Sequence, residues 1–233
     1  MRVGTVCVAY NEPRMIVPHL KHIPDWVDEK IVLNSTEPWF GEPVSDDKTA
    51  QLAEPYARVI QAYWENEESQ RNTGQALHQD KDWVIVLDPD EYLDNENWEI
   101  LRKTLEHTKA EALIVEGQYT YWKNGLVADP PKDYPMLIAV RPSVQFVDKR
   151  VVGIQYEVAP IWLHHFSWAK TDAEVWSKIS HYAHAHDFDI KQWYNDVWLA
   201  DKREDVHPVT PDTLHKLIPA KLPPELKELN LWP

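Results

Sequence analysis

The chain has 233 residues and a formal net charge of −14, with 24 Lys and Arg against 38 Asp and Glu. This length suits one large domain or two small ones, and a hydrophobic share of 43% is ordinary for a globular protein. The acidic balance, without a dense Lys/Arg run, argues against nucleic acid as a main partner. It suits instead a site whose carboxylates recruit a metal, which in turn recruits phosphate.

Cysteine content and apolar runs give expectations about the compartment. The single cysteine, Cys7, excludes an internal disulfide. The first residues lack the long apolar region of a signal peptide, and no stretch approaches the roughly 18 apolar residues of a membrane span. We therefore expect a soluble, cytoplasmic protein.

The first 107 residues alternate strand-like and helix-like patterns. Apolar, β-branched runs predict strands at 2–10, 30–34, 58–63 and 83–87. Apolar spacing predicts helices from Ile16 to Val27, from about 66 to 80, and around Trp98 to Leu105. Pro13 suits a first helical turn, whereas Pro18 is expected to kink or interrupt the same helix. This alternation predicts a parallel sheet with right-handed crossovers.

The later residues predict antiparallel additions to that sheet. Short strands separated by Pro, Gly and Asp are expected at 112–122, 136–140, 144–147 and 158–163. A capping box from Thr171 to Glu174 opens a helix to about 186, and an apolar stripe from Ile190 to Trp198 predicts another. The fold class is thus α/β, with a mostly parallel central sheet flanked by helices. We expect one domain over 1–186, with halves 1–107 and 108–186, and a Pro-rich extension, 187–233, packed on it.

The stretch VIVLDPDEYL, residues 84–93, is the most informative segment. Its apolar run predicts a strand buried on both faces, and Pro89 must end that strand. Asp88, Asp90 and Glu91 then stand at a carboxyl end, where ligands bind in open α/β sheets. They repel one another unless water or a cation screens them, and a divalent ion carrying phosphate oxygens is the usual cation. The alternative is a turn in which Asp90 or Asp94 caps the next helix.

A pair of histidines, His164 and His165, is the second informative feature, because it ends an apolar strand just before the capped helix. Side chains alternate along a strand, so only one of the two can face a given pocket. Neutral imidazole is a good ligand for divalent metals and would complete a site begun by carboxylates. A structural role for the pair is the alternative.

Four segments, in order, resemble GT-A-fold nucleotide-sugar glycosyltransferases, especially small family-2-like enzymes and the group related to β-1,4-mannosyl-glycoprotein N-acetylglucosaminyltransferase. The likeness spans roughly residues 3–186. Gln155 departs from the pattern, since some relatives have a histidine there. The four segments are VAYNEP (8–13), Gln70-Arg71-Asn72 followed by DWVIVLDPDEYL, His165-Phe166-Ser167-Trp168, and Lys178 with His184 six residues on.

The resemblance implies a metal-dependent transfer from a UDP- or GDP-sugar, with inversion, using Mn²⁺ or Mg²⁺. The acceptor would be a glycan, a protein or another hydroxyl. The implied metal ligands are Asp88, Asp90 and His165. The implied donor-binding residues are Ala9, Asn11, Glu12, Asn34, Arg71, Asn72, Asp88, Lys178 and His184. Lys178 and His184 have the alternative of being solvated helix residues.

An inverting enzyme needs a base, and Glu157 is the first candidate because it lies one strand before His165. A strand-edge carboxylate facing solvent is its alternative. Glu91 is the second candidate, although it can instead orient the loop. Aromatic residues can cover the donor or stack an acceptor sugar, or simply form core. The donor-covering residues are Trp39 and Phe40, and the acceptor-stacking residues are Tyr119, Tyr121 and Trp122.

Two other functions remain open from the sequence. A nucleotidyltransferase would use the same carboxylates and metal, but it needs a Gly-rich, basic loop after the first strand, and VAYNEPRM has no glycine. Only six glycines occur in the chain, which excludes a dinucleotide or Walker-type site. The second alternative is a non-catalytic module that binds a nucleotide sugar or a carbohydrate.

Overall fold

The computed structural model describes residues 1–44, 46–132, 136–204, 206–207 and 216–233. The described strands are β1 Val3–Ala9, β2 Glu29–Ser35, β3 Arg58–Ala62, β4 Trp83–Val86, β5 Glu91–Tyr92, β6 Ala112–Trp122, β7 Leu126–Asp129, β8 Leu137–Val140, β9 Phe146–Asp148, β10 Val151–Val152, β11 Glu157–Trp168 and β12 Lys216–Pro219. The described α-helices are α1 Ile16–His22, α2 Thr49–Ala53, α3 Glu67–Leu77, α4 Asn95–His107, α5 Asp172–His181, α6 Ile190–Trp193 and α7 Pro224–Glu228.

One large sheet runs in the order β12-β7-β6-β8-β4-β1-β2-β3, with β11 paired to β6 and β5. The four first-half strands β3, β2, β1 and β4 are all parallel, and β11 is parallel to β6. Strands β5, β7, β8 and β12 pair antiparallel. The predicted α/β class, with helices flanking a largely parallel sheet and antiparallel additions in the second half, is confirmed.

Burial of the central strands on both faces explains their continuous apolar runs. Every residue of β1 and of β4 is buried. Along β1, Cys7 packs in the hydrophobic cluster that includes α1 and α4, whereas Val6 and Val8 pack in the cluster on the other face. Covered faces of this kind are typical of parallel strands.

Helix α1 differs from its prediction in two ways. Pro18 lies at its third residue and the helix is continuous, so the expected interruption is wrong. The reason is that the first backbone N–H groups of a helix have no intrahelical acceptor, and a proline there removes no bond. The helix ends at His22, because Ile23 precedes Pro24 and adopts an extended ψ of 123°. Val27 therefore lies outside it.

Strand β11 is longer than its prediction and continues to Trp168 through both histidines. His164 and His165 pair with Tyr92 and Glu91 of β5, and they also pair with β6. The histidines are therefore part of the sheet rather than residues that follow a strand. The predicted capping box at Thr171 is confirmed, but α5 ends at His181 rather than near 186.

The C-terminal residues lie against the rest of the chain. Strand β12 pairs with β7, and Leu226 and Leu231 are buried in a cluster with Met15 and Phe166. The indole N–H of Trp232 donates to the backbone oxygen of Trp122 at 2.7 Å. No helix among the described residues has both the length and the apolar composition that a bilayer crossing requires.

Candidate functional site

A cleft of about 150 Å³ opens at the carboxyl ends of β1 and β4. The loop after β2 forms one wall and α5 forms another. The lining residues are Val8, Ala9, Tyr10, Asn11, Glu12, Ser35, Glu37, Pro38, Trp39, Gln70, Asp88, Pro89, Asp90, Lys170, Glu174, Ser177, Lys178, His181 and Tyr182.

Asp88 follows β4 and is held by an arginine. Arg71 Nη2 donates to the two carboxylate oxygens of Asp88 at 3.1 and 2.9 Å, and the same guanidinium bonds Glu67. Burial raises the pKa of Asp88, but Arg71 and Arg150 lower it more, so the net pKa is below its usual value. The Arg71 side chain is only 1% exposed and does not line the cleft. Arg71 was predicted to contact the nucleotide-sugar donor directly. In the structure it contacts Asp88, which lines the cleft, and does not line the cleft itself.

Glu91 orients the turn that carries the aspartates. Its Oε2 accepts from the backbone N–H of Asp88 at 2.9 Å, and its Oε1 accepts from Arg150 Nη1 at 2.5 Å. Arg150 also donates to the backbone oxygen of Val86 at 2.6 Å. Both Glu91 oxygens are engaged and the residue is 1% exposed, so it is placed as a loop-orienting group rather than a base. Sequence reasoning missed Arg150, because no motif surrounds it.

Asp90 lies between a lysine and a histidine. Lys178 Nζ is 2.8 Å from Asp90 Oδ2 and donates to Ser167 Oγ at the same distance. His165 Nε2 is 3.5 Å from Asp90 Oδ1. Burial raises the pKa of Asp90, but Lys178 and His165 lower it by more than burial raises it. The net pKa is therefore well below its usual range. The structure thus brings together the predicted Asp90, His165 and Lys178.

A second lysine, Lys170, was missed by the sequence reasoning. Its Nζ donates to both carboxylate oxygens of Glu12, at 2.7 and 2.6 Å, and lies 4.0 Å from Asp90 Oδ2. The side chain is 2% exposed. Its only sequence signal was its place between the end of a strand and a capping box. Together with Lys178, it screens Asp90, a carboxylate that the sequence assigned to a metal.

The predicted metal ligands are only partly assembled. Among the described parts of the chain, no group of three or more His, Cys, Asp or Glu side chains is arranged to hold a metal ion. Both oxygens of Asp88 accept from Arg71, whereas Asp90 Oδ1 and His165 Nε2 face each other. Carboxylate oxygen and imidazole nitrogen suit Mn²⁺ or Zn²⁺. Asp90 and His165 thus offer one carboxylate oxygen and one imidazole nitrogen near each other, whereas Asp88 is already paired with Arg71.

The loop after β1 forms the other side of the cleft. Asn11 has a left-handed φ of 52° and donates its amide to Ser177 Oγ at 3.0 Å. Its backbone N–H donates to Asp47 Oδ2 at 3.0 Å, and the Asn34 amide reaches the same oxygen at 3.3 Å. Ala9, Asn11 and Glu12, which the sequence assigned to donor binding, line the cleft. Asn34 is 3% exposed and lies behind the lining, and Asp47 was missed.

The two aromatic residues predicted to cover the nucleotide-sugar donor have different environments in the structure. Trp39 lines the cleft, whereas the ring of Phe40 packs edge-on against His186 at 4.5 Å between centroids. Tyr10 and His181, which the sequence did not single out, also line the cleft and contact each other at 5.7 Å.

Several predicted site residues lie elsewhere. The side-chain amide of Asn72 makes two hydrogen bonds with the backbone of Phe146. It is therefore engaged within the protein rather than with a nucleotide sugar. His184 pairs with Asp187 and does not line the cleft. Glu157 begins β11, whereas His165 lies eight residues along it, roughly 26 Å away at about 3.3 Å per residue. The prediction of Glu157 as base is therefore wrong, because it placed the two ends of one long strand together.

The predicted acceptor platform is core. Tyr121 and Trp122 are each 2% exposed. The Tyr121 ring stacks on Phe166 at 4.3 Å, and its hydroxyl bonds His164 Nδ1 at 2.7 Å. Tyr119 stacks on His164 at 5.2 Å. Neither Tyr121 nor Trp122 can stack a sugar while it is buried in this way, which corrects their prediction.

The chain has low sequence identity to known proteins and matches only part of their length. No model of a protein family matches the chain. A curated relative, a TPR repeat-containing protein of Synechococcus elongatus, is 26% identical over 218 residues, which are 87% of this chain and 49% of that protein. The chain thus spans about half the length of the curated relative it matches.

Solved structures similar to this chain include glucosyl-3-phosphoglycerate synthase from Mycobacterium tuberculosis in complex with Mg²⁺ and uridine diphosphate. It is 20% identical with a TM-score of 0.39, covering 53% of this chain and 44% of that one. Another is S. aureus TarS 1–349 in complex with UDP, at 15% identity and a TM-score of 0.43, covering 61% and 47%. A mycobacterial protein is 16% identical with a TM-score of 0.44, covering 70% and 64%.

Proposed function

We propose that this chain is a glycosyltransferase that moves a sugar from a nucleoside-diphosphate donor to a hydroxyl acceptor. One observation carries the proposal: at the strand ends that form the cleft, Asp90 meets the ammonium group of Lys178. A carboxyl-end cleft of an open α/β sheet is a ligand site, and the lysine supports an anionic ligand there.

The donor's nucleoside would lie along the loops after β1 and β2. Ala9, Asn11 and Trp39 line this part of the cleft and offer backbone, amide and ring contacts. The diphosphate would then lie beside Asp90 and Lys178. Arg71 supports this arrangement from behind, by holding Asp88.

A divalent ion would be held by Asp90 and His165. When bound, such an ion acts as a Lewis acid on the leaving diphosphate. The cleavage of the sugar–diphosphate bond leaves negative charge on phosphate oxygens, and the Lys178 ammonium is placed to stabilise that charge. We propose inversion as the stereochemical outcome, which requires a base at the cleft. Glu37 is a cleft-lining carboxylate, unlike Glu157 and Glu91, whereas both oxygens of Glu12 are engaged by Lys170.

The test is turnover of UDP- and GDP-sugars in the presence and absence of Mn²⁺, followed as release of UDP or GDP. We expect slow hydrolysis or transfer that Asp90→Asn reduces by about 100-fold or more, because the substitution removes the carboxylate that would hold the ion stabilising the leaving diphosphate. Asp196→Asn, at an exposed acidic residue of the helical segment Tyr194–Leu199 that does not line the cleft, is the matched control.

Binding of UDP or GDP without any turnover would instead assign the chain as a nucleotide-sugar-binding module. Absence of both binding and turnover across the donor panel would contradict the proposal.

A further inference from the structure

The floor of the cleft holds two ammonium groups on either side of one carboxylate oxygen. Lys178 Nζ lies 2.8 Å and Lys170 Nζ 4.0 Å from Asp90 Oδ2. Lys178 belongs to α5, and Lys170 directly precedes that helix. Neither is a surface lysine, because their side chains are 17% and 2% exposed.

Each ammonium group donates hydrogen bonds within the protein. A lysine ammonium carries three N–H groups. Lys178 directs two of them to Asp90 and Ser167, and Lys170 directs two to the oxygens of Glu12. Both residues line the cleft. These hydrogen bonds to described residues account for two of the three N–H groups on each lysine.

Carboxylates pair with both lysines. A buried ammonium is costly unless carboxylates pair with it, and Glu12 and Asp90 provide that pairing. Burial lowers the pKa of Lys178, but Asp90 and Glu12 raise it more, so its net pKa is above the usual value. Two ammonium groups thus lie within 4.0 Å of the same carboxylate oxygen.

A diphosphate has two adjacent groups of anionic oxygens, and lysine binds phosphate as a point charge. We infer that Lys170 and Lys178 together bind the donor's diphosphate, and that diphosphate binding therefore persists when divalent ions are removed. The inference rests on the proposed function, and it extends that function by assigning Lys170. A divalent ion, when bound, would be held by Asp90 and His165, whose Oδ1 and Nε2 are 3.5 Å apart.

The test is isothermal titration of the whole chain with UDP and with inorganic pyrophosphate, first in EDTA and then in Mn²⁺. We expect both ligands to bind in EDTA, with a Kd within about tenfold of the Kd in Mn²⁺. Lys170→Met and Lys178→Met should each raise the Kd in EDTA by about 10- to 100-fold, the range for a hydrogen bond to a charged group. Lys178→Arg should recover part of the affinity. Lys103→Met, at an exposed lysine of α4, is the matched control and should bind like the wild type.

Tight binding that requires Mn²⁺ and disappears in EDTA would overturn the inference while leaving the proposed function intact. Methionine variants that keep the wild-type near-UV circular dichroism and the wild-type Kd would overturn it equally. Pyrophosphate binding in EDTA that needs both lysines, with no sugar turnover, would uphold the diphosphate site and contradict only the transferase. Absence of binding under both conditions would overturn both.

Discussion

Two neighbouring clusters of side chains both suggested ligand binding in the sequence. In the structure, one lines the cleft and the other is buried in the core. Both are rich in residues that bind nucleotides or sugars in other proteins. The charged cluster lines or borders the cleft and consists of Glu12, Asp88, Asp90, Lys170 and Lys178. The aromatic cluster is packed away from solvent and consists of Tyr121, Trp122, Phe166, Trp168 and Trp232.

The two clusters meet along β11, where alternate residues serve different clusters. His165 and Ser167 contact Asp90 and Lys178, respectively. Between them, Phe166 stacks on the Tyr121 ring. Since side chains of a strand alternate between its faces, one short sequence contributes both to a site and to the core. An aromatic residue in a strand is therefore evidence for ligand binding only when its side chain lies on the face that is open to solvent.

The largest effect should come from the aromatic cluster. Trp122→Ala removes a ring in contact with Trp168 and Trp198, and should lower the free energy of unfolding by about 3–5 kcal/mol. Urea denaturation measures this loss. Trp39→Ala, in the cleft, is the contrasting variant, which should cost less than about 1 kcal/mol and weaken UDP binding. A stable Trp122→Ala with impaired use of an acceptor would restore its predicted binding role.

A smaller loss is expected in the charged cluster. Arg71→Met leaves Asp88 without its main partner, which should cost about 2–3 kcal/mol. The expected loss of unfolding free energy is at or below the usual loss for breaking a buried ion pair. The Asp88 side chain is 26% exposed, so water screens part of its charge. Asp88→Asn added to Arg71→Met should recover part of the stability in a double-mutant cycle by urea denaturation. Strict additivity of the two substitutions would contradict the pairing.

The region between the clusters should show a pH dependence through His19, which contacts the backbone oxygen of Glu91 and the ring of Tyr92. Burial lowers the pKa of His19 from 6.5 to about 4. The unfolded chain thus takes up a proton between these values that the folded protein does not, so stability falls as pH falls. At pH 5, 1.5 units below 6.5, the loss is about 2 kcal/mol.

Urea denaturation at pH 7 and pH 5, with His19→Gln for comparison, isolates this contribution. The wild type should lose more stability than the variant over that interval. An equal loss in both proteins would contradict the assignment to His19.

The smallest effect is expected at the far end of β11. Glu157 is exposed and bonds Thr108 Oγ1 at 2.7 Å, so Glu157→Gln should change stability by less than about 0.5 kcal/mol and leave turnover unchanged. Glu12→Gln is the contrasting variant, because it removes the charged partner of Lys170 and should lower turnover. A large loss of kcat in Glu157→Gln would return Glu157 to the site.

Local patterns predicted much of the architecture. Apolar, β-branched runs located the first four strands. Asp94 caps α4 by accepting a 2.7 Å hydrogen bond from the backbone N–H of Asn97, which was one alternative for the acidic turn. The capping box at Thr171 located the start of α5. Arg150, Lys170 and Asp47 were not predictable in this way, because each acts on a partner far along the chain through no recognisable pattern.

The amino-acid order was sufficient for the alternation of strands and helices and for the acidic turn at the end of β4, since periodicity and proline act over a few residues. It was insufficient to name the cations that those carboxylates face. Lys178 and Asp90 are 88 positions apart, and they meet because β11 pairs with β5 and β6 in one particular register. The tertiary structure thus pairs Lys178 with Asp90, a carboxylate that the sequence assigned to a metal or to a helix cap.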